Sequence, residues 1–277
     1  MRVIHTIAEL RAALDGERHT AFVPTMGNLH AGHLSLVALA RAHGRPVVTS
    51  IFVNPLQFAA GEDFDRYPRT LGADCEKLAS AGCDLVFAPA ASELYPESQT
   101  FRVEPPAHLA NELCGAFRPG HFSGVATVVL KLFNLVAPRV AVFGKKDFQQ
   151  LRVIEQMVRQ FDLPVAIVAG ETLREADGLA MSSRNGYLSP DERREAPRLY
   201  RELSAIAAAL AAGARNVGEL EAHASARLHA AGWRVDYIAV RDPATLAPVT
   251  PATRHFVVLG AAHLGTTRLI DNVEVFG

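Results

Sequence analysis

Net charge is almost missing: 28 Lys and Arg stand against 29 Asp and Glu, a formal net charge of -1 over 277 residues. That balance gives no electrostatic footprint for nucleic acid or an anionic membrane as the main partner. Cysteine is scarce as well. Cys75, Cys83 and Cys114 show no Cys-x-x-Cys spacing, which speaks against a disulfide framework and fits a reducing compartment. No apolar run reaches membrane length, since Val125 to Ala137 is the longest and is interrupted by Lys131 and Asn134. Met1 to Gly16 carries Glu9 and Asp15 and has no long apolar core, so a secretory signal is not expected. Solenoid-period repeats and low-complexity tails are also missing. Together these absences predict a soluble, cytoplasmic protein. What remains is ordinary globular composition, 49% hydrophobic and 21% charged, in a chain long enough for one large domain or two.

The stretch that organises the chain is Pro24-Thr25-Met26-Gly27-Asn28-Leu29-His30-Ala31-Gly32-His33. A buried-strand run, Thr20 to Val23, enters it, and a largely buried helix over Leu34 to Ala42 leaves it. A glycine-punctuated turn between a strand and a helix N-terminus is a natural anion site, because unpaired backbone N–H groups and the positive end of the helix dipole face the ligand. Histidines at that point can donate to phosphate oxygens and stabilise charge that develops during nucleotidyl transfer. The alternatives are two ordinary half-buried histidines or a metal pair. Against the latter, no Cys, Asp or Glu in the stretch completes a ligand set. It is not a Walker A loop, for no Gly-Lys-Ser/Thr follows.

Further along, Pro46 to Val53 reads as a central parallel strand ending in Asn54-Pro55-Leu56-Gln57-Phe58. Ligands of open α/β sheets sit beyond the carboxyl ends of strands, so Asn54 and Gln57 are candidates for a polar substrate; Asn before Pro is equally a turn starter. Gly61 to Thr70 is either a flap or a solvated loop. Leu71 to Ala81 reads as a helix, Asp84 to Ala88 as a strand, and Ser92 to Glu112 has few regular signals. Gly124 to Ala137 reads as an apolar helix and Arg139 to Phe143 as a strand. That strand runs into Gly144-Lys145-Lys146-Asp147, which opens a helix to Phe161 and suits phosphate and ribose contacts. Val165 to Ala169 is one more strand. Met181-Ser182-Ser183-Arg184-Asn185 offers hydroxyls and a guanidinium to a triphosphate, or merely caps the helix at Pro190. Pro190 to Ala211 and Val217 to Ala231 read as helices, and Trp233 to Arg241, Phe256 to Leu259 and Leu269 to Val275 as strands. The predicted fold is α/β: a Rossmann-like doubly wound parallel sheet over 1–171, then a smaller α+β lid domain over 172–277.

Taken jointly, these motifs resemble the pantoate–β-alanine ligase family. The resemblance is carried by Pro24 to Gly27 with His30-Ala31-Gly32-His33, by Phe52 to Phe58, by Tyr67-Pro68-Arg69-Thr70 and by Arg118-Pro119-Gly120-His121-Phe122. It continues through Lys131-Leu132-Phe133-Asn134, Gly144 to Gln150 and Met181 to Asn185, and it covers about residues 20 to 190. His-x-Gly-His alone is shared by a broad nucleotidyltransferase superfamily; Asn-Pro-x-Gln-Phe and Ser-Ser-Arg-Asn make the match specific. Asn28, where Ala is common, and Lys145, where an acid is common, depart from the pattern.

The resemblance implies an ATP-dependent joining of pantoate to β-alanine through a pantoyl adenylate, releasing pyrophosphate and AMP. By the same token His33 is the expected proton donor or charge stabiliser with His30 beside it, and Met26, Gly27, Asn28, Leu29, His30, Ala31, Gly32 and His33 line the nucleotide. Gly144, Lys145, Lys146, Asp147 and Leu173 contact adenosine, Lys146 also reaching a phosphate. Met181, Ser182, Ser183 and Arg184 close over the triphosphate, and Gln57 and Gln150 hold pantoate with Asn54. Mg2+ accompanies ATP on phosphate oxygens and water, with Asp74 a weak protein contact and no metal ligand assigned. A homodimer is expected from the resemblance alone. The competing readings are another His-x-Gly-His adenylyltransferase, which should want a basic pocket for a phosphorylated acceptor, and an inactive nucleotide-binding module.

Overall fold

The computed structural model describes residues 1–59 and 61–276. Six short strands, β1 (Arg2–Ile4), β2 (Ala21–Thr25), β3 (Val47–Ile51), β4 (Leu85–Phe87), β5 (Val140–Gly144) and β6 (Ala166–Gly170), form one sheet in the order β1-β4-β3-β2-β5-β6. Every ladder in it is parallel. The strands are apolar on both faces, as a sheet covered on both sides requires. Ala21, Val23, Val47, Val140 and Val142 pack with Val37 and Ala40 of the Ala31–His43 helix and Leu78 of the Leu71–Ser80 helix. Their neighbours Phe22, Val48, Ala141 and Phe143 join the opposite core, with the Ile7–Ala13, His121–Val136 and Phe148–Gln160 helices. The alternation of faces along β2 follows from the two-residue period of a strand.

The chain moves outward from β2 through β3 to β4 and then returns to place β5 on the other side of β2. The strand order therefore reverses between β2 and β5, which is where a doubly wound sheet opens a crevice. The register shows the opening directly. β2 pairs with β3 as far as Thr25–Ile51, and β5 with β6 as far as Gly144–Gly170. Between β2 and β5 the pairing reaches only Phe22–Ala141. Pro24 helps to end it. Ala21 donates its N–H to the Pro46 carbonyl on the β3 side. Alternation puts the missing donor of Pro24 on the β5 side, so it removes a hydrogen bond that would otherwise extend that ladder.

The remaining chain builds a three-stranded antiparallel sheet, β7 (Arg234–Arg241), β8 (Phe256–Leu264) and β9 (Thr267–Val275). One face packs on Leu199, Leu203, Ile206 and Leu210 of the Arg198–Ala211 helix and on Leu228 of the Val217–Ala230 helix. From the other face Ala239, Val257 and Leu259 join the core of the parallel sheet.

Three expectations shift. The helix expected from Leu34 begins at Ala31, and the one expected from Gly124 begins at His121. The Pro190–Ala211 helix is two, Pro190–Glu195 and Arg198–Ala211, because Pro197 has no N–H to carry the first onward. β8 runs five residues beyond Leu259, through the small residues Gly260, Ala261 and Ala262 that hide its strand character. Gly260 is small for a reason: a Cβ there would lie 3.0 Å from Ile238 Cδ1 and Leu203 Cδ2, and 3.1 Å from Leu199 Cδ1. Gly260→Val is expected to lower stability by about 1–3 kcal/mol through overpacking. Urea unfolding checks this, and an unchanged midpoint would contradict the close helix–sheet contact.

Candidate active site

The site grows out of the parting of β2 and β5. Beyond β2 the chain turns through Met26 to Leu29 and enters the helix at Ala31. A buried carboxylate shapes that turn. Asp74 accepts the N–H groups of Asn28 and Leu29, each at 2.8 Å, and the Thr70 hydroxyl at 3.0 Å. Lys77 donates to the Leu29 carbonyl at 2.7 Å, and the Thr25 hydroxyl accepts the Gly27 N–H at 3.2 Å. Asn28 sits at φ 50°, a left-handed conformation that asparagine tolerates better than alanine does. The departure at this position thus suits the turn. Asp74, by sequence a possible but weak metal contact, spends both carboxylate oxygens on the turn. Among the described residues no three His, Cys, Asp or Glu side chains gather into a metal-binding group.

His30 is the N-cap of the helix, and its Nδ1 accepts the Gly32 N–H at 3.2 Å. His33, in the first turn, accepts the His30 N–H on its own Nδ1 at 3.3 Å. The rings lie 4.1 Å apart between centroids. With both Nδ1 atoms accepting, each neutral ring carries its proton on Nε2, leaving a donor for a ligand in the crevice. Burial pushes the His30 imidazole down to about 3, helped by His33 and Lys146. Burial likewise holds His33 at about 4, against the opposing pull of Asp147. Gly32 allows this packing, since a Cβ there would come within 2.9 Å of the His30 ring.

On the β3 side the Asn54–Phe58 corner is a network of amides. Asn54 Nδ2 donates to Gln57 Oε1 at 3.0 Å and to the Gly124 carbonyl at 3.2 Å. Its Oδ1 accepts the Leu56 N–H at 3.3 Å and the Tyr95 hydroxyl at 2.9 Å. Asn54 lines the crevice, and its amide is fully occupied by partners within the protein, among them Gln57. The Gln57 amide in turn donates to the Met26 sulfur at 3.2 Å. His121 Nε2 accepts from Arg118 at 3.0 Å, so its proton is on Nδ1 and is donated to the Gln57 carbonyl at 2.8 Å. Burial, and then Arg118, press the His121 imidazole down to about 4.

The crevice closes with two further segments. Gly144, Lys146, Asp147 and Gln150 line it from the end of β5, and Leu173, Met181, Ser182, Ser183 and Arg184 from the stretch after β6. The Ser183 hydroxyl donates to the Asn28 carbonyl at 2.9 Å, tying this stretch to the His30 turn. Arg184 makes a two-pronged pair with Asp63, at 3.0 and 2.9 Å.

Of the expected residues, Met26, His30, Gly32 and His33 reach the crevice, whereas Gly27, Asn28, Leu29 and Ala31 shape the turn behind it. Leu29 is buried in the core behind the turn. Lys145 is not among the residues that line the crevice: its ammonium pairs with Glu171, which does line it, at 2.6 Å and with Glu274 at 2.7 Å. These carboxylates raise its pKa against the opposing effect of burial. Sequence reasoning gives Tyr95 no part, holds Glu62 and Asp63 only within the possible flap of Gly61 to Thr70, and takes in Arg118 and His121 only as members of a motif. Tyr95 lies 41 residues from Asn54, and nothing local in the sequence announces their contact.

The switch-point crevice, the paired imidazoles at a helix N-terminus and the lysine and serines facing them define an α/β enzyme of the nucleotide-handling His-x-Gly-His class. Within that class, residues 2–274 match the pantoate-beta-alanine ligase family, and the chain belongs to it. It is 70% identical over 275 residues to the pantothenate synthetase of Thiobacillus denitrificans, covering 99% of this chain and 97% of that protein. It is 60% identical over 277 residues to that of Chromobacterium violaceum, covering both in full. Among solved structures, pantothenate synthetase from Thermus thermophilus superposes over 100% of both chains at 49% identity and a TM-score of 0.96. Pantoate-beta-alanine ligase from Francisella tularensis, complexed with beta-gamma ATP and beta-alanine, matches 99% of this chain and 97% of its own at 33% identity and a TM-score of 0.84.

His30, His33 and His121 are neutral when folded, whereas an unfolded histidine titrates near ~6.5. The unfolded chain therefore binds more protons below that value. Stability should be full above about pH 6.5 and fall as pH drops towards the folded values of about 3 to 4. NMR titration of the ring carbons, with urea midpoints at each pH, checks this. A His30 or His33 ring titrating near ~6.5 would contradict the neutral pair.

Proposed function

We propose that the protein condenses pantoate with β-alanine at the expense of ATP, through a pantoyl adenylate, giving pantothenate, AMP and pyrophosphate. The observation that carries the reading is the pair of neutral imidazoles, Nε2–H left for a ligand, in a crevice of a chain that belongs to this ligase family over residues 2–274. The amides of Gln57 and Gln150 in the same crevice suit a hydroxy acid, and the complex of the Francisella relative with beta-gamma ATP and beta-alanine supports the choice of reactants.

In the first step a pantoate carboxylate oxygen attacks the α-phosphorus of ATP. The new bond is oxygen to α-phosphorus, and the bond broken joins that phosphorus to the β-phosphate oxygen, which leaves with the electron pair. Negative charge builds on the phosphate oxygens, and His30 and His33 donate from Nε2 to it, with Lys146, Ser182, Ser183 and Arg184 as further donors. An arriving polyanion favours the charged imidazole, so His33 moves towards a state able to give up its proton. In the second step the β-alanine nitrogen, having lost one proton, attacks the acyl carbon. AMP leaves with the electrons of the acyl carbon–oxygen bond, and the nitrogen loses a second proton as the amide forms. Gln57, fixed by Asn54 and by Tyr95 through Asn54, and Gln150 hold pantoate.

ATP enters as its Mg2+ complex, the ion riding on phosphate oxygens and water. The junction of two domains is proposed at residues 171–172, with the second closing on the nucleotide and shielding the adenylate from water. A homodimer in the cytoplasm completes the reading.

The test is pyrophosphate release from MgATP with pantoate alone, followed by pantothenate and AMP once β-alanine is added. Binding of ATP without pantoate-dependent release would sink the proposal. His33→Ala should lower the first step by about 100- to 1,000-fold with ATP affinity little changed. Tyr95→Phe removes the donor that fixes Asn54 and should raise KM for pantoate about threefold to tenfold with kcat nearly kept. Steady-state kinetics with pantoate varied reads this out, and an unchanged KM would remove Tyr95 from the network.

A further inference from the structure

A second chamber adjoins the crevice. The crevice itself holds about 220 Å3, whereas small-molecule sites ordinarily run to ~300–1,000 Å3. The adjoining chamber holds about 580 Å3. Arg118, Lys146, Asp147, Ser182 and Arg184 line both spaces and form the wall between them. The crevice is small for a nucleotide with two further reactants, and the chamber is the adjoining space that shares its phosphate-facing side chains.

Cations from two separate parts of the chain line the chamber: Arg66 from the 61–70 segment, and Arg234 and Arg268 from β7 and β9. Its carboxylates are mostly engaged. Glu62 grips Arg118 at 2.7 and 2.6 Å, Asp63 grips Arg184, and Asp236 accepts from Arg268 at 2.8 Å. Asp271 accepts two hydrogen bonds from Arg174, at 2.7 and 2.9 Å. Glu62 and Asp63 line the chamber and not the crevice, so each holds its arginine from the chamber side. A diphosphate presents oxygens that match guanidinium forks as a carboxylate does, with more charge.

We infer that this chamber is the departure site of pyrophosphate: the leaving diphosphate passes the Arg118–Arg184 wall, displaces Glu62 and Asp63 from those arginines, and exits between Arg66 and Arg234. The inference rests on the ligase reading and adds to it a site for the leaving group, separate from the pocket of the reactants. It also explains the two carboxylates, which keep the arginines paired and the wall in place until a stronger anion replaces them.

The test is pantoate-dependent exchange of labelled pyrophosphate into ATP, with KM for pyrophosphate measured in the presence of Mg2+. Arg66→Glu and Arg234→Glu change exposed side chains that touch neither the crevice nor its reactants. Each should raise KM for pyrophosphate about fivefold to tenfold while KM for ATP in the forward reaction stays within about twofold. Arg254→Glu, an exposed reversal outside both spaces, should leave both values alone. Wild-type values in both chamber variants would overturn the inference, as would an equal rise in KM for ATP or an equal effect of Arg254→Glu. Absence of exchange in the unaltered enzyme would overturn the ligase reading itself, so the two failures are distinguishable.

Discussion

The rest of the site depends on β2 and β5 being neighbours at one end and strangers at the other. Their ladder stops at Phe22–Ala141, while each keeps its outer partner to its own carboxyl end. Parallel strands whose inner pairing fails must splay, and the gap between them receives the helix that His30 caps and the turn that carries Lys146. Pro24 makes the failure a matter of covalent structure, because it has no N–H to offer the β5 side. A proline inside a central strand normally argues against the strand; here the exception marks the switch point.

The splayed site holds few uncompensated charges. Its histidines are neutral, which costs far less in a buried crevice than a pair of imidazolium ions. Asp74 is buried, but two backbone N–H groups and a hydroxyl meet it, so its charge serves as a clamp on the turn. The arginines at the rim are paired with Glu62 and Asp63. Lys146 has no ion-pair partner among the described residues. The arrangement is thus nearly neutral in itself and becomes strongly attractive only to a ligand that brings its own charge past the paired arginines.

Much of this is legible in the sequence because it is local. β-branched runs announce the parallel strands, and the strand–glycine–histidine–helix order announces the phosphate-handling corner. Failures come where a role depends on distant partners. The apolar period puts the helix N-terminus at Leu34, since histidine is not among the usual capping residues; the cap is His30. Asn54 reads as a substrate ligand because its position beyond β3 is right. Only the structure shows both ends of its amide spent on Gln57, Gly124, Leu56 and Tyr95. In β8 the small residues from Gly260 onward look like the end of a strand, when they signal a close helix. Tyr95, Glu62 and Asp63 meet the site through other side chains, and a one-dimensional pattern carries no trace of those contacts.

Lys145 shows how the two sheets are joined in function as well as in packing. By sequence a nucleotide contact, it is a strut between Glu171 and Glu274. Three nearby side chains on β9 repeat the theme. Asp271 holds Arg174, Asn272 donates to the carbonyls of Lys145 and Lys146 at 2.9 and 3.0 Å, and Glu274 holds Lys145. The turn that presents Lys146 and Asp147 to the crevice is therefore fixed from the C-terminal sheet, although it belongs by sequence to the parallel one. Any movement of that sheet, such as the closure proposed over the nucleotide, must carry these contacts along or break them. If it carries them, Lys146 is delivered to the phosphates in the same motion that brings Ser182 and Arg184. Closure of the lid and assembly of the charge-stabilising side chains then form one equilibrium, and a substitution in β9 acts on the chemistry without touching a reactant.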